Sequence, residues 1–452
     1  MVRKFKTADY EEVLDLEVRL RDVLPPEHLA CFIVDAVSQL ELSKIYSQYG
    51  EQGAPPYAPE IMLGLIFYGY ATGVFSSRKI EKATYETIPF RYIAGDMHPD
   101  HATIAAFRKQ FLVELKDLFV QILLMAQEVG HLELGNISLD GSKIHADASK
   151  SKAVSYKRLL EIELYLQAEI KELFALAEAA DSKQLPDGMN LPNEIERRER
   201  RLKQLAEARR VLEARAQVRY EAELAEHQAK IQARQEKEAQ KGRKLPGKEP
   251  KPPTPGARDK DQYNFTDPES RIMKNSNNNG FDQHYNVQVA VEHESRLIVG
   301  DWLCDHTNDK QAALPTIDTV PKELGYPDTA NLDAGYFSET NIQGLLARGI
   351  DPYIATGRSS HNQGWRGYFL DHSESLPENA TAKEKMAYKL RTQVGDALYR
   401  LRKSTVEPVI GIIKEVLGFR QFSLRGLASV GGEWTLVCLA YNLKRMHTLR
   451  YG

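Results

Sequence analysis

Along the first 130 residues, apolar side chains recur at helical spacing, as in Ile61, Leu63, Leu65 and Ile66, and again in Phe107, Phe111, Leu115, Phe119 and Ile122. The pattern predicts several short helices, punctuated by Pro55-Pro56 and Pro99. Ser76 and Ser77 are candidate caps for a helix carrying Arg78, Lys79 and Lys82. Short helices with basic turns suit a helix-turn-helix-like DNA-binding domain over 1–130, and equally a plain helical bundle. The period changes at Asn136. Ile137-Ser138-Leu139-Asp140 alternates as a half-buried strand does, with Gly141 as its expected end, so residues 131–150 read as the first strand of a new domain.

Residues 151–260 interrupt that domain. Leu160, Leu164, Ile170, Leu173, Phe174 and Leu176 sit at helical spacing, Pro186, Gly188 and Pro192 predict a turn, and a second helix rich in Glu, Arg, Ala and Gln follows. Its thin stripe of Ile195, Leu202, Leu205 and Leu212 predicts an antiparallel, coiled-coil-like hairpin. The Pro- and Lys-rich run from Lys241 to Lys260 predicts a flexible, extended linker. Alternating α/β patterning then fills 261–452. Strands are predicted at His284–Glu292, Arg296–Cys304, Thr329–Asp333 and Asp351–Thr356. Helices are predicted at Lys310–Glu323, from Ser338 to Arg348, and from Ala382 to Val416. The fold class is α/β: a mixed sheet flanked by helices.

Length and composition narrow the picture. At 452 residues the chain can bury two or three cores. No apolar run reaches the roughly 18 residues a membrane span needs, and the N-terminus has no apolar leader segment. Cys31, Cys304 and Cys438 fit no zinc spacing, so a reduced, cytoplasmic protein is expected. A net charge of −3 argues mildly against nucleic acid. The segment from Arg400 to Arg450, with Arg402, Lys403, Lys414, Arg420 and Arg425, is nevertheless strongly basic. It reads either as a solvated helical face or as a DNA contact.

The chemistry lies in the carboxylates. Asp140 and Asp333 each close a predicted strand and precede a small turn, and parallel pairing would bring both to one sheet edge. Glu407, on the last long helix, can pack across that edge. Three converging carboxylates call for a hard divalent cation, Mg²⁺ or Mn²⁺, and two such ions would serve phosphoryl transfer. Each residue alone also reads as an ordinary turn or surface acid. Asp301 and Asp305 are the rival positions, and His145 and Asp147 are spare ligands or surface groups.

Several blocks resemble bacterial insertion-sequence transposases of the DDE class. Tyr399-Arg-Leu-Arg402-Lys-Ser-Thr-Val-Glu407 through Lys414 resembles their catalytic-helix signature of Tyr, Arg, Glu and Lys. Ile137 to Asp147, Asn331-Leu-Asp333-Ala-Gly-Tyr-Phe-Ser338, Asp267 to Arg271, Tyr285 to Val291, Ser77 to Glu81, Phe90-Arg-Tyr-Ile, Pro99 to Phe107-Arg, Gly418 to Leu427, Glu433-Trp434 and Asn442-Leu443 are similar too. The resemblance implies an RNase H-like catalytic core, with Asp140, Asp333 and Glu407 as metal ligands. It also implies Tyr399, Arg402 and Lys414 as contacts to transposon-end phosphates. Lys403 stands where the best-known signature has Arg, so Lys403 and Arg402 compete for one role. Trp365 could stack on a flipped base, or simply pack a loop.

The implied activity is cleavage and strand transfer at inverted terminal repeats, on double-stranded DNA, by a nucleoid-associated homodimer, with no membrane partner. The other readings are a catalytically inactive repressor or architectural protein of the same descent, and a nuclease that never joins strands.

Overall fold

In the computed structural model, which describes residues 20–50, 56–180, 190–244, 247–275, 280–357 and 380–452, the chain divides into two units. One is Met1–Ile144 with Asn286–Gly452, the other His145–Tyr285. The first opens with helices α1 (Leu29–Ser38), α2 (Ser43–Tyr46), α3 (Pro59–Ala71), α4 (Ser77–Glu86), α5 (Ile88–Ala94), α6 (His101–Gln110) and α7 (Glu114–Glu128). From Met62 to Ala71 every side chain of α3 is buried, which is why its sequence shows no polar stripe. Strand β1 (Asn136–His145) follows and runs straight through Gly141, where the sequence pattern had placed its end.

The second unit contains β2 (Ala153–Ser155), α8 (Tyr156–Ala180), α9 (Leu191–Lys241), β3 (Gln262–Asn264) and β4 (Arg271–Lys274). Helices α8 and α9 are antiparallel: Arg198 meets Glu169 at 2.8 Å, Arg209 meets Glu163 at 3.5 Å, and Tyr156 meets Glu213 at 2.8 Å. Val154, Leu159, Leu205, Ala208 and Leu212 form the seam core. Pro192 does not make a turn. It sits in the first turn of α9, where a missing N–H costs nothing. Pro186 and Gly188 lie outside the described residues. The Pro- and Lys-rich segment is not free either. Arg234 donates to the carbonyls of Gly247 and Lys248, His227 bonds the Pro250 carbonyl, and Arg258 pairs with Glu223 at 2.8 Å. A proline-rich backbone keeps its carbonyls unpaired, and the basic side chains of α9 take them up.

The chain returns to the first unit within β5 (Phe281–Glu292). It continues through β6 (Ile298–Cys304), α10 (Ala313–Ile317), β7 (Thr329–Leu332), α11 (Glu339–Ala347), β8 (Asp351–Ile354), α12 (Ala382–Arg391), α13 (Gln393–Gly411) and α14 (Leu427–Tyr451). The sheet of this unit has the order β6-β5-β1-β7-β8. Strands β5 and β6 are antiparallel; β1, β7 and β8 are parallel, with Ser138 level with Asn331 and Leu332 level with Ile354. The fold is mixed α/β. Helix α10 is shorter than the pattern suggested because Pro321, which cannot donate an interior helix bond, separates it from a 3₁₀ turn at Lys322–Leu324. The single helix expected from Ala382 to Val416 is broken at Thr392, whose hydroxyl caps α13 by accepting from Gly395 N at 3.0 Å. A Cβ on Gly395 would lie 2.0 Å from the Lys389 carbonyl oxygen, so the corner between α12 and α13 needs glycine.

Helix α14 is a core element. It packs against α1, α3, α7 and β6, and Leu436 to Leu443 are all buried. The Asn442 amide covers the backbone of β6, accepting from Ile298 N at 2.9 Å and donating to Ile298 O at 2.8 Å. Two of the cations in this basic segment are partly buried and tied to backbone carbonyls: Lys444 donates to Ala71 O at 3.1 Å and Arg445 to Ser295 O at 2.6 Å. Long cationic side chains reach outward from a buried stem, so charge in a sequence need not mean an exposed helix. No helix among the described residues is long and apolar enough to cross a membrane.

Candidate active site

The parallel register of β1 and β7 puts Asp140 and Asp333 level with each other, each two residues beyond the paired Ser138 and Asn331. Asp140 accepts from Gly141 N at 2.8 Å, and Asp333 from Gly335 N at 2.7 Å in the 3₁₀ turn it caps. Helix α13 crosses this edge. Asn331 Nδ2 donates to Leu398 O at 3.0 Å, and Thr405 Oγ1 lies 3.3 Å from Ser138 Oγ. That places Arg402 between two carboxylates: Nη1 is 3.3 Å from Asp140 Oδ2, and Nη2 is 3.0 Å from Glu407 Oε1. Arg402 is almost buried, with 11% of its side chain exposed, whereas Glu407 is 46% exposed.

Burial pushes the Asp140 carboxyl up to about 6, and the charges of Asp333 and Glu407 push the same way. The Arg402 guanidinium and the Gly141 N–H pull it back. The four groups are thus one electrostatic unit. Among the described residues no three Asp, Glu, His or Cys side chains stand as a finished metal cage. The donor chemistry still fits a hard cation: Asp140 feels the charges of Asp333 and Glu407, and the Arg402 guanidinium offsets them.

Lys414 lies on a π-turn (Ile412–Val416) that follows α13, not on a regular continuation of the helix predicted from Ala382 to Val416. It reaches β1 nonetheless, donating to Ser142 Oγ at 2.7 Å, and burial lowers its pKa. Tyr399 is half-buried beside Arg402; burial raises its phenol pKa and the guanidinium lowers it. Lys403, Arg420, Arg425 and Arg78 are exposed, and no described bond joins them to the three acids. Arg420 pairs with Glu415. Trp365 lies outside the described residues. His145 packs against His284 within the second unit, the rings tilted with centroids 4.3 Å apart.

Asp301, the rival position, points into α14, where Thr435 Oγ1 donates to it at 2.7 Å. Burial raises its pKa to about 6, against the hydroxyl and the Lys116 charge. A raised acid is most stabilising when protonated, so this contribution is full below pH 3.8 and is lost as pH rises through about 6. The span of two units at about 1.4 kcal/mol each gives about 3 kcal/mol. Asp301→Asn keeps an acceptor for Thr435 and removes the titration. In urea unfolding, its stability relative to the parent protein should improve by about 2 kcal/mol between pH 4 and 7. A pH-independent difference would show that Asp301 is not a buried titrating acid.

Asp309 is the acid that sequence reasoning missed. Its Oδ1 accepts from Asn286 Nδ2 at 2.8 Å and Gln288 Nε2 at 2.7 Å. It lies beside the glycines that follow both site aspartates. A Cβ at Gly141 would meet Gln288 Nε2 at 2.2 Å and Asp309 Oδ1 at 2.8 Å; one at Gly335 would be 3.7 Å from Asp309 Oδ2. This explains why β1 needs glycine in mid-strand. The available signal was Asn286 and Gln288, two amides in the apolar strand His284–Glu292 that must find polar partners once buried.

No curated protein and no solved structure matches the chain. Two family profiles do. One, described as Transposase domain (DUF772), matches residues 18–110; the other, Transposase DDE domain, matches residues 372–447. The second match contains Tyr399, Arg402, Glu407, Lys414, Arg420 and Arg425, the first contains Arg78, and Asp140 and Asp333 lie outside both. The two profiles fall in the order the sequence blocks implied, at opposite ends of the chain, and together they support an insertion-sequence DDE transposase.

Proposed function

We propose that this transposase binds the inverted terminal repeats of its element and catalyses metal-dependent cleavage and strand transfer with Asp140, Asp333 and Glu407. The observations that support the reading are the register that sets Asp140 and Asp333 level at one end of a parallel strand pair, and Arg402, which bridges Asp140 to Glu407. The strand order β6-β5-β1-β7-β8 supports an RNase H-like core. Residues 131–150 and 261–452 would form that core, 151–260 an insertion, and 1–130 a helical DNA-binding domain.

The three carboxylates would hold Mg²⁺ or Mn²⁺, two ions in all, which supply an activated water or 3′-hydroxyl and stabilise the leaving oxygen. The protein's own groups do the rest. Arg402 neutralises the acids before DNA arrives. Because its guanidinium occupies the space between Asp140 and Glu407, binding a cation there requires it to release at least one of them. The freed arm is then available to a phosphate, as is Lys414. Lys403 is solvent-exposed, so Arg402 is the better candidate for the action at the reacting centre, and Lys403 for a more distant phosphate. Two ends must be joined in one complex, which favours a homodimer on DNA associated with the nucleoid.

The test is a labelled duplex containing the DNA that flanks the coding sequence. Nicking at the element's end with Mg²⁺ or Mn²⁺, abolished by EDTA, is the expected result. End binding without cleavage under either metal would refute the enzyme reading and favour the repressor.

A further inference from the structure

Beneath the three acids lies a second, buried polar layer. Ser138 Oγ is 2.8 Å from His293 Nε2, and Asn331 Nδ2 is 3.2 Å from the same nitrogen. Thr405 Oγ1 gives its hydrogen to Leu401 O at 2.6 Å and packs 3.3 Å from Ser138 Oγ, while Asn331 Nδ2 also donates to Leu398 O on α13. Ser138 and Asn331 are fully buried, and Thr405 and His293 nearly so. His293 is itself anchored to β1 through its N–H on Asn136 O at 3.0 Å.

The positions repeat. Ser138 lies two residues before Asp140 on β1. Asn331 lies two residues before Asp333 on the β7 side. Thr405 lies two residues before Glu407 on α13. In an extended strand, residues two apart share a face, so fixing Ser138 and Asn331 fixes where the next side chains on that face emerge. On α13, holding Thr405 against Ser138 fixes the rotation of the helix that presents Glu407. We infer that His293 is a positioning residue: its Nε2 is the hub that locks β1, β7 and α13 in the register at which Asp140, Asp333 and Glu407 can share metal ions.

Two further observations agree. The Asn331 amide can donate to Nε2 only if that nitrogen is unprotonated, and burial lowers the His293 pKa, keeping the ring neutral. The layer is also not built for stability, since Asn331 Oδ1 is buried without a partner. Apolar residues there would avoid that cost, and polar groups retained against stability mark functional positions.

The inference rests on the reading of the three acids as the reacting centre, and the test separates the two. The full-length protein is compared with His293→Leu, His293→Gln, Thr405→Val and Asp333→Ala. Three readouts are used: Mn²⁺ binding by calorimetry without DNA, the Mn²⁺ concentration for half-maximal nicking, and end binding in EDTA. His293→Leu should weaken Mn²⁺ binding and raise the half-maximal concentration by about 10- to 100-fold, the range for outer residues that orient metal ligands. End binding should stay unchanged. His293→Gln keeps an acceptor and should recover most of the loss. A folded His293→Leu with parental Mn²⁺ binding and nicking overturns the inference, as does a His293→Gln no better than Leu. Should His293→Leu fail to fold, the nearly isosteric Thr405→Val decides on the same readouts, with a smaller loss expected in the same direction. Asp333→Ala that still nicks would refute the active-site reading itself; Asp333→Ala inactive beside a parental His293→Leu refutes the hub alone.

Discussion

Asp140→Asn should abolish metal-dependent nicking, by at least about 10³-fold in single-turnover rate, while end binding is retained or tightened. Asp140 is the most constrained of the three acids, with one oxygen on Gly141 N and the other on Arg402. An amide in its place has one oxygen and no charge. The lost metal chemistry is worth several kcal/mol of barrier, and about 1.4 kcal/mol is tenfold in rate, which sets the size of the effect. Removing a negative charge beside Arg402 should not weaken attraction to DNA phosphates, so binding by gel shift in EDTA should hold. Rates within tenfold of the parent protein would remove Asp140 from the reacting centre. Loss of end binding together with nicking would assign it a structural role through Arg402.

Much of the site was legible because strand chemistry is local. Asp333 sits at the end of a short apolar strand, and Ser338 caps α11 by accepting from Asn341 N at 3.1 Å, as the sequence implied. The pairing of β1 with β7 was open to inference because α/β patterning favours parallel neighbours. What stayed hidden depends on contacts between distant segments. Gly141 looks like a strand end in sequence, and only the approach of Gln288 and Asp309 shows why the strand continues through it. The break at Thr392 was written in Thr392 and Gly395, but a cap inside a long polar helix is easily read as ordinary surface. Arg402 was expected on a phosphate; its place between Asp140 and Glu407 could not be read from a spacing of five along a helix. Helix α14 misled most, since its cations flank a stretch whose burial needs α3 and β6 to be in place.

That helix also carries an acid whose role can be separated from Glu407's. Glu433 is fully buried. Its carboxylate accepts from Ser423 N and Leu424 N, both at 3.0 Å, from Ser423 Oγ at 2.5 Å, and from the Tyr70 hydroxyl at 3.3 Å. Tyr70 in turn accepts from Arg108 Nη1 at 2.8 Å. One side chain therefore holds the loop before α14 to α3 and α6. Glu433→Ala leaves these donors without their buried acceptor, and breaking a buried charged network costs about 3–5 kcal/mol. In a protein of this size that lowers Tm by roughly 3–5 °C in thermal unfolding. Glu433→Gln, which keeps one acceptor oxygen, should fall between. Glu407→Ala should do the opposite on both counts: its half-exposed carboxylate contributes little to Tm, while nicking is lost. If Glu433→Ala instead spared Tm and removed nicking per folded molecule, the third acid of the site would be Glu433, and α13 would be only the scaffold that presents Arg402.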